Sequence, residues 1–406
     1  MRLAVCASAL SVLVSASAFA QVPPAAPPPA AAPPAAEPPP ATPPPPVVAE
    51  VAVPPPAAAA PAAPAPAAPA PKFVFGGLAD TYYLFNFIRA TNANTLTPPV
   101  GRAFDTNSNS VTLALAKLTM NASLDPVSFQ LDIGYGSVGT IINNSFGGGT
   151  IPPNPSGAFL VEQAYGEIAL PGNLTLDFGK FTTTAGAEVI EANKNWLYSR
   201  SLLFNAIPLL HTGVRANLKV SDQLTLQGSL VNGWNDDPDV NAWKTIGLSA
   251  SITASPMVSV IATTYFGKEA PQGAMGSTPG DLRVLGDVVV AVTVNDKFGL
   301  NLNIDYIKAF DNVAADYLVG AALMGRYVVA DHLYLAARGE FLSVHTDGPP
   351  SHTASYEEGT GMAGIPVGKN FELRPEIRFD HSGDQVFAGG MKKNQFTGEV
   401  AALTFF

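Results

Sequence analysis

An all-β chain closed into a transmembrane antiparallel up-and-down barrel of about sixteen strands is predicted by three features. Apolar and polar residues alternate with period two over most of residues 72–406, tight turns and long connections alternate strictly, and the last residues, Gly398 to Phe406, form an alternating segment closed by an aromatic. A closed sheet is one of two ways to satisfy every backbone group in lipid. The apolar runs are too short for the other, a helical span.

Met1 to Ala20 carry Arg2, an apolar stretch and the small-residue site Ala18-Phe19-Ala20, so residues 1–20 are expected to be a cleaved secretory signal. The single cysteine, Cys6, lies in that signal, so the mature chain is expected to hold no disulfide, lipid anchor or thiolate metal site. Residues 21–71 hold more than half of the 38 prolines, mixed with alanine. Nothing there can form a core, and an extended polyproline segment of roughly 150 Å at about 3.1 Å per residue is expected. It reads as a periplasmic linker, either unpartnered or reaching toward the cell wall.

Residues 72–406 are expected to be the outer-membrane β-barrel. Alternation places strands near 73–87, 110–121, 127–137, 160–170, 173–181, 210–220, 223–234, 243–254, 257–267, 283–294, 297–308, 317–330, 332–344, 357–367, 369–381 and 394–406. The clearest runs are Phe298 to Tyr306, apolar on one face and Gly, Asn and Asp on the other, and Asn370 to Asp380, whose second row is charged. Even strands are followed by tight turns such as Asp125-Pro126, Pro171-Gly172, Asn295-Asp296 and Gly368-Lys369. Odd strands are followed by long Gly-, Pro- and Asn-rich segments, among them 88–109, 138–159 and 182–209. Short turns on the periplasmic side and long loops outside are the pattern of an outer-membrane barrel, which a soluble sandwich has no reason to share.

The face opposite the apolar row receives Asp132, Glu167, Asp177, Arg215, Lys219, Asp287, Asp305, Arg326, Arg338, Glu340, Glu372, Arg374, Glu376, Arg378, Asp380 and Glu399. An Arg or Lys facing lipid near the midplane costs about 2–4 kcal/mol, so these charges are assigned to a water-filled lumen, where they are expected to stay hydrated. The pore-lining candidates are Asp177, Asp305, Arg338, Glu340, Glu372, Arg374, Glu376, Arg378 and Asp380.

A charged fraction of 13% and a net charge of −10 leave no basic patch for nucleic acid. His211, His332, His345, His352 and His381 show no ligand spacing, and no metal site or cofactor is expected. Asp236, Asp237 and Asp239 offer oxygen ligands for a cation such as Ca²⁺, but a solvated turn is the preferred reading. A Gly-x-Ser-x-Gly nucleophile motif is absent and Glu357-Glu358 point to opposite faces, so the chain is not expected to be an enzyme.

One stretch goes further: Phe178-Gly179-Lys180-Phe181 to Ile190, Asn195-Trp196-Leu197-Tyr198-Ser199-Arg200, and Ile207-Pro208-Leu209-Leu210-His211-Thr212-Gly213, flanked by Gln163-Ala164-Tyr165 and Val231-Asn232-Gly233-Trp234. It resembles the OmpL-like β-barrel porin family over residues 163–234. The resemblance implies a Gram-negative outer-membrane porin contacting outer-membrane lipids, with a third loop, 182–209, that folds inward and narrows the channel; the alternative is that this loop packs by its own Trp196, Tyr198 and Phe204 over the rim. Glu188, Glu191, Lys194 and Arg200 on that loop, with Arg215 facing them, then become constriction candidates. The terminal strand ending in Phe406 resembles the closing strand that the barrel-assembly machinery reads. Passive diffusion of small hydrophilic solutes and ions is expected, with a weak cation preference decided by Glu188 and Glu191. The alternative is a structural or adhesive barrel held by the Pro/Ala arm. Apolar outer rows suit lipid and the interface of a homo-oligomer equally.

Overall fold

The computed structural model describes residues 70–88, 101–145, 158–237, 239, 241–269, 281–310, 315–347 and 349–406. The expected signal 1–20 and nearly all of the linker 21–71 lie outside them. Sixteen strands run β1 (Lys72–Asn86), β2 (Val111–Leu124), β3 (Val127–Tyr135), β4 (Phe159–Leu170), β5 (Leu174–Thr182), β6 (Leu210–Lys219), β7 (Leu224–Val231) and β8 (Thr245–Ser255). They continue as β9 (Val258–Glu269), β10 (Asp281–Thr293), β11 (Phe298–Phe310), β12 (Ala315–Ala330), β13 (Leu333–Thr346), β14 (His352–Val367), β15 (Phe371–Ser382) and β16 (Asn394–Phe405). Each pairs antiparallel with its neighbours, and β1 closes on β16 with Leu78 opposite Phe405 and Asn86 opposite Thr397.

Every strand expected from alternation is present. The largest departures are at β14, which begins at His352 rather than 357, and, by three residues each, at β2, which ends at Leu124 rather than 121, and β7, which ends at Val231 rather than 234. Helix α1 (Ser137–Ser145) after β3 and α2 (Leu202–Ala206) before β6 were not foreseen in the loops. Turn chemistry sets the short-turn rim: in the β4–β5 hairpin Gly172 (φ +85°) and Asn173 (φ +60°) take the left-handed conformation that Gly and Asn tolerate best.

Burial is inverted relative to a soluble protein. Leu118, Leu230, Leu323 and Ile377 are more than half exposed on the outer wall, while Asp177, Arg338, Arg374 and Arg378 face inward and are 1–3% exposed. Most of the lumen charges expected to be hydrated are therefore covered, whereas Glu167, Arg215 and Arg326 are half-buried and Lys219 is exposed. What covers the rest is chain.

Candidate functional site in the barrel lumen

Between β5 and β6 the chain leaves the wall and enters the lumen. Local side-chain bonds shape this loop, residues 183–209. Asn195 accepts from the Val189 N–H at 2.9 Å and donates back to its carbonyl at 2.8 Å, and Arg200 donates to the Val189 carbonyl at 3.0 Å and to those of Tyr198 and Ile190. Ser201 caps α2, its Oγ accepting from Phe204 N–H at 3.0 Å. Leu197, Leu203, Phe204 and Ile207 are 0–3% exposed and share one core with inward-facing Tyr82, Leu115, Leu318 and Leu342. Trp196, Tyr198 and Phe204 thus pack inside the barrel, against the alternative of packing over the rim.

Strands β13 and β15 hold the loop by its backbone. Glu376 accepts the N–H groups of Tyr198 (2.8 Å) and Ser199 (3.2 Å), and Glu340 those of Leu202 and Leu203 (2.7 Å each). The second pair belongs to the first turn of α2, whose N–H groups have no helical partner. Guanidinium groups take the carbonyls: Arg338 that of Ser199 (2.8 Å), Arg374 those of Ala192 (2.7 Å) and Asn195 (3.0 Å), and Arg378 that of Arg200 (2.7 Å). Carboxylates close the same cations, Glu358 and Glu188 on Arg338 at 2.8 and 2.9 Å, Glu372 on Arg374 at 3.1 Å and Asp380 on Arg378 at 2.7 Å. The alternating ladder of β15 does not merely cancel its own charge; its period of two presents donors and acceptors in turn to a peptide backbone.

A second anchor stands across the lumen. Lys117 Nζ on β2 lies 2.8 Å from Glu162, 2.7 Å from Glu191 and 3.0 Å from Asp132, and Lys194 also reaches Glu191 at 2.7 Å. Burial alone would raise the Glu191 carboxyl; Lys117 and Lys194 outweigh it and hold it well below the usual carboxylate range. From the β1–β2 connection Arg102 reaches Glu399 at 3.2 Å and Thr397 at 3.0 Å, and bonds to Asp105. Asn303 on β11 accepts from Ala187 N–H at 3.0 Å while donating to Asp287 (2.7 Å) and Asp305 (3.1 Å).

The structure places Glu188 and Glu191 inside ion pairs, Glu188 with Arg338 and Glu191 with Lys117 and Lys194. Arg200 is turned into its own loop. Arg215 does not face the loop acids: its Nε donates to Asp177 at 2.7 Å and its guanidinium lies 4.3 Å from the Phe181 ring centre. Lys117 and Glu162 were missed. Lys117 was legible, since it shares the face of Asn121 in alternation; Glu162 was not, because a register shift between Asp132 and Ile133 breaks the phase of β4.

The acidic run after Trp234 disperses. Asp237 bonds Lys180 (2.8 Å) and Thr212 (2.9 Å), and Asp239 bonds Lys244, so the run does not converge as cation ligands. Asp236 is pushed up to about 7 by burial and by repulsion from Glu269 and Asp239. His211 is buried and bonds the Gly233 carbonyl at 3.0 Å.

Asn217, Gln227 and Ser249 on β6–β8 are half-buried. A cavity of about 640 Å³ lies between loop residues 186–196, strands β9–β13 and β15, and the turn Asn295–Lys297.

Among solved structures, OmpT of Vibrio cholerae is similar at 12% identity and TM-score 0.53, covering 84% of this chain and 99% of that one. An anion-selective porin from Comamonas acidovorans matches at 11% identity and TM-score 0.54 (83% and 100% covered). The outer-membrane channel DcaP of Acinetobacter baumannii matches at 13% and 0.53 (83% and 97%). At such identities the likeness speaks for the fold alone. No curated protein matches the sequence. Residues 72–406 match the family described as Putative beta-barrel porin-2, OmpL-like. With its closed sixteen-strand barrel and loop-filled lumen, the chain belongs to that family of outer-membrane porins.

Proposed function

We propose that the barrel passes small hydrophilic solutes and ions by passive diffusion, and that loop 183–209 sets the width of the path. The observation that carries this reading is the loop pinned from β13, β15 and β2 beside a wall of small polar residues, Asn217, Gln227 and Ser249, that it leaves half-buried. A barrel of sixteen strands is wide enough to leave an aqueous channel, and a fixed loop narrows it without closing the polar side. Residues 188, 191, 194 and 200 then act as the loop's fasteners, and Arg215 with Asp177 as charges of the open wall. Single-channel recording in planar bilayers tests the proposal. Discrete ohmic steps are expected; a folded, inserted barrel without conductance would sink it.

A second reading is favoured by how much of the lumen the loop and Arg102 occupy. In that reading the barrel is structural or adhesive, and the arm 21–71 ties it to the cell wall. We further propose that outer-membrane lipid covers the apolar wall, that the assembly machinery reads the strand ending at Phe406, and that copies associate through part of that wall.

A further inference from the structure

We propose that the cavity behind the loop is a binding site for small amphiphilic anions, carboxylates joined to an aromatic or compact apolar body. The inference rests on the porin reading, since it names what the path would take up. Its volume, about 640 Å³, falls among small-molecule sites.

Three observations select the ligand class. First, the wall is apolar where a diffusion pore would be polar: Ile261, Val289, Met324 and Val328 all face inward on β9, β10 and β12 and line the cavity. Second, the loop brings Trp196 to this wall. A Cβ at position 299 would lie 3.2 Å from Cη2 of Trp196, so the indole lies close against β11 where Gly299 leaves the wall without a side chain. Third, Arg326 sits opposite Gly299 in the β11–β12 register, and its guanidinium lies 4.2 Å from the ring centre of Tyr334. Among the described residues Arg326 forms no ion pair, in contrast to Arg338, Arg374 and Arg378; Glu372, whose charge acts on it, is already paired with Arg374.

The other charges at the cavity are already engaged or offset. Glu372 is held by Arg374 and by the Tyr334 hydroxyl at 2.5 Å, Glu188 by Arg338, and Asp296 stands beside Lys297 in the turn. What remains is one planar cation over the Tyr334 ring on an apolar floor, with the Trp196 indole against the neighbouring strand. A guanidinium receives a carboxylate through two parallel hydrogen bonds, and the indole face and aliphatic wall receive the body. An ammonium at the same place would meet Arg326.

The test uses benzoate, the folded detergent-solubilised chain and equilibrium dialysis. Benzoate is expected to bind saturably and to be displaced by neither acetate, which lacks the body, nor benzylamine, which reverses the charge. Arg326→Gln should weaken it by about tenfold or more, and Trp196→Ala should weaken it without altering the strand wall. Heat-modifiability on gels checks that each variant is folded; should Arg326→Gln not fold, Trp196→Ala carries the test. No benzoate binding, equal displacement by acetate or benzylamine, or unchanged affinity in folded variants overturns the proposal. Dialysis needs no ion flow, so conductance recorded without benzoate stands or falls separately.

Discussion

At the scale of single residues, Arg338 joins the wall to the loop. It holds Glu358, Glu188 and the Ser199 carbonyl within 2.9 Å while almost wholly buried. Replacing it by Met strands two buried carboxylates, at a cost of about 3–5 kcal/mol for a broken buried pair. The strands keep their own ladders, so the loss should fall on loop 183–209. Arg338→Met is expected to open the loop to proteinase K and to raise single-channel conductance; Arg338→Lys should rescue only in part, because an ammonium cannot reproduce the planar fork. Unaltered conductance with a protease-resistant loop would remove the clamp from the account. Asp236 gives a pH signature outside the strands. Its carboxyl rises from 3.8 to about 7, so between those values the folded state binds more protons than the unfolded one. The contribution of Asp236 to stability is therefore greatest in acid and falls as pH rises through that window. The hydrogen-exchange protection of the connection after β7, taken relative to the intrinsic rate at each pH, should be higher at pH 5 than at pH 8, and Asp236→Asn should flatten the difference.

At the scale of elements, the seam between β1 and β16 shows how one terminal residue completes a barrel. Phe406 exchanges two backbone bonds with Gly77, 3.2 and 3.1 Å long, and its ring lies where a side chain at position 77 would stand. Deleting Phe406 removes both bonds from a seam that pairs along Leu78 to Asn86. The expected result is less heat-modifiable barrel at unchanged synthesis, with Phe406→Ala intermediate because it keeps the backbone bonds; equal folded yields would deny the residue that role. Strands of this kind were legible because lipid on one side and a polar interior on the other impose a period of two on every one of them. The loop was less so. Its Trp, Tyr and Phe suit a rim or a core equally, and the acceptors of its backbone lie on β13 and β15, far away in sequence. That Glu376 reads two N–H groups follows from closure of the sheet, which brings β15 to the loop after β5, whereas Lys117 meets Asp132 and Glu162 on adjoining strands and Glu191 only because the loop turns inward.

At the scale of the whole molecule, inside and outside have exchanged roles, and this decides which environment the fold tolerates. The outer wall carries Leu118, Leu230, Leu323 and Ile377 at 53–60% exposure, a surface that only lipid or another copy can cover without loss. Leu323 lies near the middle of β12, paired with Leu302 and Gly339, while Ser251 on β8 is half-buried on the polar face opposite Thr225. If the wall faces a bilayer, Leu323→Arg places a charge near the midplane at a cost of about 2–4 kcal/mol, whereas Ser251→Arg projects into water and should stay within about 0.5 kcal/mol. Urea titration of barrels refolded into phosphatidylcholine vesicles measures both. In a soluble barrel the order would reverse, since an exposed Leu323 would accept the charge freely and the interior would resent it. Equal losses at the two positions would mean that the faces are not divided as the alternation divides them, and the assignment of the lumen would fall with that division.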